Sequence, residues 1–441
     1  CDEHDRATPG HQLSHALPSR FARRPRATRS SLARAREPAS GALTGRAPPR
    51  GSAVWRRVRL VASRSDAQRL YSKRPRYRYA TATNVPRPTG RTDRRARCRP
   101  SPRRLAMTAR RLRFTAPRTV DVERIPDPTP GPEEVRVETT RSAISSGTER
   151  LVYRGEAPDD LPADPALESM DGDLSFPLAY GYAAVGEVDA VGEDVDPEWL
   201  GRRVFAFEPH TSAFTADPSA LEPVPPAVSD AQATLLPTVE TAVTFLLDGH
   251  PRVGERVGVF GQGMVGLATT ALLAASPLGE LVTVDACAAR RTLSKRLGAD
   301  ASIESGEEAV DRLRAGDPAG RDLTYELSGA PAALDDAIAA TGYDGRVVVG
   351  SWYGTKPVEL DLGGTFHRDR IDVSSSQVST IDPALRGRWS PSRRLDVAWE
   401  WLERLDLEPL LTHRVDLSAA GEAYELLESS PNEAVGVLFT Y

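Results

Sequence analysis

The 441-residue chain has a formal net charge of −4 that conceals two opposite parts. Residues 1–106 hold 26 Arg and one Lys against six acids, a balance of +21, and the remainder carries 30 basic and 55 acidic residues, a balance of −25. No apolar run approaches the roughly 18 residues of a membrane span, which excludes a helical membrane protein, and with Cys287 the only cysteine beyond residue 106 a disulfide-built scaffold is excluded and a reducing, cytoplasmic setting fits.

Stretches of residues 1–106 such as "FARRPRATRSSLARAREPAS" mix Arg, Ser, Ala and Pro without helical or strand periodicity, so they cannot bury enough apolar surface to offset chain entropy. A disordered Arg-rich leader is expected there. The chain opens on Cys1, and Met107 stands just before the first patterned segment, so the leader reads as upstream sequence outside the working protein; a targeting peptide and a nucleic-acid-binding arm are the rivals. Aromatic residues interleave with the basic ones only at "YSKRPRYRY", and no nucleic-acid-binding motif follows, so no nucleic acid is expected as partner. Beyond Met107 only Lys295 and Lys356 stand beside the 55 acids, a surface suited to strong salt, and a halophilic source is expected.

From Met107 the segments "RLRFT", "EVRVETTRSAI", "AAVGEVDAVGEDV" and "GRRVFAFEPHTSAF" alternate valine with polar residues between glycines, which predicts a compact β-barrel over 107–238. The next unit, expected over 239–375, changes character. Val257–Phe260 is a β-branched run that meets Gly261-Gln262-Gly263-Met264-Val265-Gly266 and then an apolar helix pattern. Gly261 permits the tight turn, Gly263 lets a pyrophosphate approach the backbone beside Met264 and Val265, and Gly266 lets helix and strand pack closely. A second strand, Leu281–Asp285, ends in an acid 19 residues after Gly266, close to the spacing of a ribose-binding carboxylate. Strands at "ASI", "LTYEL" and "RVVVGS", with helices at 307–315 and 332–340, complete an α/β pattern that predicts a doubly wound parallel sheet, with ligand at the strands' carboxyl ends near Ser328 and Gly350. Asp285 favours NAD; Arg290 and Arg291, one turn on, can accommodate the 2′-phosphate of NADP or form a solvated helix face. The remaining residues, 376–441, end in a helix and a closing strand.

"SGTE" (146–149), "GYAAVGEVDAVG", "LPTVETAVTFL", "VGVFGQGMVG", "LGAD" and "AYELLESSPNEAVGVLF" resemble the medium-chain dehydrogenase/reductase superfamily, the alcohol dehydrogenase type, over nearly all of 107–441. The resemblance implies a GroES-like substrate domain to which 376–441 returns, a Rossmann domain, and a homodimer or homotetramer. "SAISSGTER" and "FHRDRIDVSSSQVS" are similar to the branch containing bacteriochlorophyllide a dehydrogenase. Zinc members of the family carry Cys-Gly-Thr-Asp and Gly-His-Glu where this chain has Ser146-Gly147-Thr148-Glu149 and Gly181-Tyr182-Ala183, and hydroxyls are poor ligands for a cation that prefers thiolate and imidazole, so no zinc is expected.

Hydrogen-bond donors must then replace the metal. Tyr182 is the first candidate, as a phenol donating to a developing alkoxide, against an aromatic that merely packs at the cleft. Thr148 takes the family's proton-relay position, and Glu149 is either that motif's acid or a buried carboxylate ordering the loop. Glu240 is expected at a helix start with some cleft contact, and His210 as a satisfied structural histidine on a strand end. The expected activity is zinc-independent hydride transfer between a nicotinamide cofactor and a small-molecule alcohol or carbonyl. Enone or quinone reduction, and cofactor binding without turnover, are the alternatives.

Overall fold

A computed structural model describes residues 109–163, 169–170 and 172–441, all within one compact unit. The leader expected over 1–106 lies outside the described residues. In chain order the elements are β1 (Ala109–Ala116), β2 (Thr119–Ile125), β3 (Val135–Ala143), α1 (Thr148–Arg154), β4 (Ala184–Val191), β5 (Arg203–Ala206), β6 (Ala213–Ala216), β7 (Glu222–Pro223) and α2 (Leu236–Gly249). There follow β8 (Arg256–Phe260), α3 (Met264–Ala274), β9 (Glu280–Val284), α4 (Ala288–Arg296), β10 (Ala301–Ile303), α5 (Glu307–Arg314), β11 (Arg321–Glu326), α6 (Pro331–Ala340), β12 (Thr341–Val349) and β13 (Asp372–Ser375). The last are α7 (Pro391–Arg404), β14 (Leu411–Asp416), α8 (Ala420–Ser429) and β15 (Gly436–Thr440).

Two sheets position the site. The nucleotide-type sheet runs β10-β9-β8-β11-β12-β13, every pair parallel. Its order reverses between β8 and β11, the switch point at which doubly wound sheets bind ligands. Four of the five β8 residues are buried, as a parallel strand covered on both faces requires. The other sheet is mixed, in the order β14-β15-β3-β4-β5-β7 with β6 also on β3. Here β15 pairs with β14 in parallel and with β3 antiparallel.

One apolar cluster joins the sheets. Ala143, Val185 and Phe205 of the mixed sheet pack with Leu236 and Val239 of α2, Met264 and Leu267 of α3, and Trp399 and Leu402 of α7. That explains why α3 is apolar nearly all round, being pressed between its own sheet and these neighbours. The first turn of α2 contains Pro237, whose fixed φ suits a helix start. Glu240 therefore lies inside this helix rather than at its beginning, which corrects the sequence expectation.

Candidate active site

The turn from β8 into α3 explains its three glycines separately. Gly261 has φ +89°, and a Cβ there would stand 2.5 Å from Ser328 Cα; a Cβ on Gly266 would stand 2.0 Å from the Gly261 carbonyl oxygen. Both positions need glycine for the turn itself. At Gly263 the backbone is ordinary and a Cβ would meet no atom within 4 Å, so the glycine leaves open space. That space lies at the start of α3, whose first turn has no side-chain cap, so Met264, Val265 and the turn before them form a cradle that can take a phosphate. Asp285, just past β9, is nearly buried; its Oδ2 accepts the Gln262 N–H at 2.6 Å and its Oδ1 the Cys287 N–H at 2.7 Å, so this carboxylate braces the same turn. Ser328 follows β11 and donates its N–H to Glu326 Oε1 at 2.7 Å, and Gly350 follows β12 with its N–H on the Glu326 carbonyl at 3.0 Å.

The two arginines considered for a 2′-phosphate each hold backbone carbonyls. Arg290 donates to the carbonyls of Pro431 and Ala434 at 2.8 and 3.1 Å, and Arg291 to those of Asp285 and Ala286 at 2.9 and 2.7 Å.

Beside the cradle lies a cavity of about 40 Å³ lined by Ser145, Tyr182, Pro237, Thr238, Met264 and Val265, among others. Tyr182 and the first residues of α3 thus share one cleft. The half-buried Tyr182 donates its phenol hydrogen to Ser145 Oγ and sets its ring edge-on to Tyr180, with centroids 6.2 Å apart. Thr148, the first residue of α1, is also half-buried but does not line this cavity. Glu240 does not line it either: it is buried against Arg394 of α7, with guanidinium nitrogens at 2.6 and 3.0 Å from Oε1. Burial pushes the Glu240 carboxyl up and the neighbouring guanidinium opposes that rise.

Beneath the cleft runs a polar network whose central groups, Glu149, His210 and Ser142, are fully buried. Glu149 Oε1 accepts the Ser145 N–H at 2.7 Å; Oε2 accepts the Tyr424 hydroxyl at 2.6 Å and faces His210 Nε2 at 3.0 Å. His210 Nδ1 lies 2.7 Å from Ser142 Oγ, which lies 2.6 Å from the Tyr441 hydroxyl. A carboxylate only accepts, so Nε2 carries the hydrogen and Nδ1 takes the Ser142 proton in the tautomer that satisfies every member. Burial pushes the phenols of Tyr424 and Tyr441 up, which keeps both as neutral donors. Gly181, with φ +120°, is tight against this histidine: a Cβ there would stand 2.8 Å from the His210 ring.

This donor set does not fit zinc. Ser146 and Tyr182 offer hydroxyls, Glu149 and His210 are bound to each other, and Cys287 donates its thiol to the Asn432 carbonyl. Among the described residues no three His, Cys, Asp or Glu side chains converge as ligands.

Sequence reasoning missed Ser145, Gln262 and Glu326. The doubled serine before Gly147 is the only hint of Ser145, and the match of Ser146 to the cysteine of Cys-Gly-Thr-Asp points to its neighbour instead. Tyr424 and Tyr441 gave no local signal, standing 275 and 299 residues from Glu149 and Ser142.

Residues 265–392 match the family model described as zinc-binding dehydrogenase. Across 347 residues the chain is 26% identical to L-threonine 3-dehydrogenase of Saccharopolyspora erythraea, a match covering 69% of this chain and 92% of that one. It is 27% identical over 338 residues to 2-desacetyl-2-hydroxyethyl bacteriochlorophyllide A dehydrogenase of Cereibacter sphaeroides, covering 72% and 94%. Among solved structures, an alcohol dehydrogenase from Escherichia coli CFT073 complexed with NADH superposes with a TM-score of 0.62 at 20% identity, over 76% of this chain and 99% of the other.

Proposed function

We propose that the chain is an alcohol dehydrogenase-like oxidoreductase of the medium-chain dehydrogenase/reductase superfamily, and that it moves hydride between NAD and an alcohol or carbonyl substrate without a catalytic metal. One observation carries the reading: the Tyr182–Ser145 hydroxyl pair stands in the cleft that Met264 and Val265 also line, and the sequence resemblance puts Tyr182 at the place of the zinc enzymes' histidine. In this reading residues 107–238 and the returning segment form the substrate side, and 239–375 the nucleotide side.

The nicotinamide supplies or accepts the hydride when bound. Gly261, Gly263, Met264, Val265 and Gly266 hold its pyrophosphate at the helix start, Asp285 its ribose, and Ser328 and Gly350 line the groove at the strand ends. The Asp285 carboxylate, which would repel a 2′-phosphate, supports NAD over NADP. Tyr182 donates a hydrogen bond to the substrate oxygen, stabilising the charge that grows there as hydride arrives or leaves. When the phenol donates to substrate, Ser145 reverses the bond it makes in the structure and donates its own hydroxyl hydrogen to the Tyr182 oxygen, which keeps the phenol oriented.

The test is a screen of alcohols and aldehydes following reduced-nicotinamide absorbance, before and after EDTA dialysis, with elemental analysis. Turnover that survives EDTA in metal-free protein supports the proposal. Stoichiometric zinc in the active fraction, with activity lost on its removal, refutes it. Consumption of an enone's C=C bond instead of its carbonyl redirects the reaction to the reductase alternative.

A further inference from the structure

We propose that Glu149 and His210 are positioning residues that set the geometry of the Tyr182–Ser145 hydroxyl pair, and that the pair is complete only when Tyr424 and Tyr441 close the network from the returning segment. The proposal rests on the reading that Tyr182 polarises the substrate oxygen.

Each member of the pair is held one step away by the buried network. Glu149 fixes the backbone of Ser145 through its N–H, and Ser145 is the residue whose hydroxyl takes the Tyr182 phenol. On the other side the His210 ring occupies the space that a side chain at position 181 would need, so it bears on the backbone from which Tyr182 projects. The same imidazole faces Glu149 through Nε2. Glu149 and His210 therefore act as one brace with two contact points, one per hydroxyl.

The geometry favours positioning over proton relay. The link from Glu149 to Ser145 runs through a backbone N–H and not through Ser145 Oγ, so it fixes the loop rather than passing a proton to the hydroxyl. Stability alone does not explain it either. A buried polar network is costly wherever a member is left unpaired, so a fully satisfied one at this depth enforces a single arrangement of its members. Tyr424 fills a further acceptor site of Glu149, and Tyr441, through Ser142, orients the far nitrogen of His210.

The experiment places 3-fluorotyrosine at position 182 of the full chain and follows its fluorine resonance in His210→Phe, His210→Gln and Tyr441→Phe. NADH affinity by fluorescence titration and thermal midpoints are measured in parallel. His210→Phe is expected to move or split the resonance with NADH affinity retained, and His210→Gln, which restores a donor toward Glu149, to return it toward the parent position. With a substrate in hand, His210→Phe lowers kcat on the order of 10²-fold, as misplacement by about 1 Å does, and leaves the KM for NAD within twofold. If His210→Phe does not fold, Tyr441→Phe gives the milder displacement from the far end of the network. A resonance unmoved in every folded variant overturns the proposal. A moved resonance in a protein that turns over no alcohol or carbonyl upholds the positioning and refutes the catalytic reading of Tyr182.

Discussion

Replacing Arg394 by Met leaves the carboxylate of Glu240 buried without its cation. In the intact protein the guanidinium places two nitrogens within 3.0 Å of one carboxylate oxygen, and both side chains are at most 8% exposed. Removing one partner of such a pair costs about 3–5 kcal/mol, because the remaining charge stays desolvated. An unfolding entropy of about 2.1 cal/mol/K per residue over the roughly 335 residues from Met107 gives about 0.7 kcal/mol/K, so the midpoint should fall by about 4–7 °C. The loss depends on pH with a definite sign. Burial already holds the Glu240 carboxyl above its ordinary value, and without Arg394 that rise grows. A group whose folded value is raised favours the fold fully below its unfolded value, near 4.5, and loses that contribution as pH rises toward the folded value. Arg394→Met should therefore be better tolerated at pH 5 than at pH 8, and Glu240→Gln combined with Arg394→Met should recover most of the loss at pH 8. Urea melts at the two pH values decide the matter; a loss below about 1 kcal/mol, or one equal at both, refutes the reasoning.

Gly263→Ala adds a methyl that meets no protein atom, so stability should hold within about 0.5 kcal/mol while NADH binding weakens roughly 10–100-fold, the effect of about 1–3 kcal/mol of crowding at the pyrophosphate; calorimetric titration and a thermal melt on one sample check both. Tyr182→Phe should lower kcat by roughly 10²–10³-fold, the effect of removing one donor to a developing oxyanion, with NADH affinity retained; an equal kcat in steady-state assays would remove Tyr182 from the chemistry. Glu208 follows β5, and burial pushes its carboxyl up to about 8. Its contribution to stability is intact below about 4.5 and lost as pH climbs to about 8, so Glu208→Gln should gain on the parent protein across that window in denaturation followed by circular dichroism.

The nucleotide half was legible because its signals are local. Gly261 and Gly266 are demanded by the turn they sit in, and Asp285 by the end of the next strand, so spacing alone located them. The strand expected from Arg346 begins instead at Thr341, directly after α6, where it pairs with Arg321; glycines at 342 and 345 hid those residues from a pattern based on valine. Glu240 was misplaced because its partner, Arg394, lies 154 residues on. Neither reading of Arg290, phosphate ligand or solvated helix face, includes the carbonyls it meets, because they lie 141 and 144 residues away. The Glu149 network was the least legible part: its identity depends on which buried groups meet, and no periodicity reports that.

The interior position of β15, between β14 and β3, orders the events of biosynthesis. Residue 143 waits for its partner at 438 while everything between is translated, about 15–60 s at 5–20 residues per second. Throughout that interval residues 141–143 of β3 lack a partner on the edge where β6 covers only 135–138, and can pair with other nascent chains, whereas the strands from 256 to 375 can already assemble among themselves. Ribosome-bound intermediates should thus carry a finished parallel sheet beside a mixed sheet that still lacks β14 and β15.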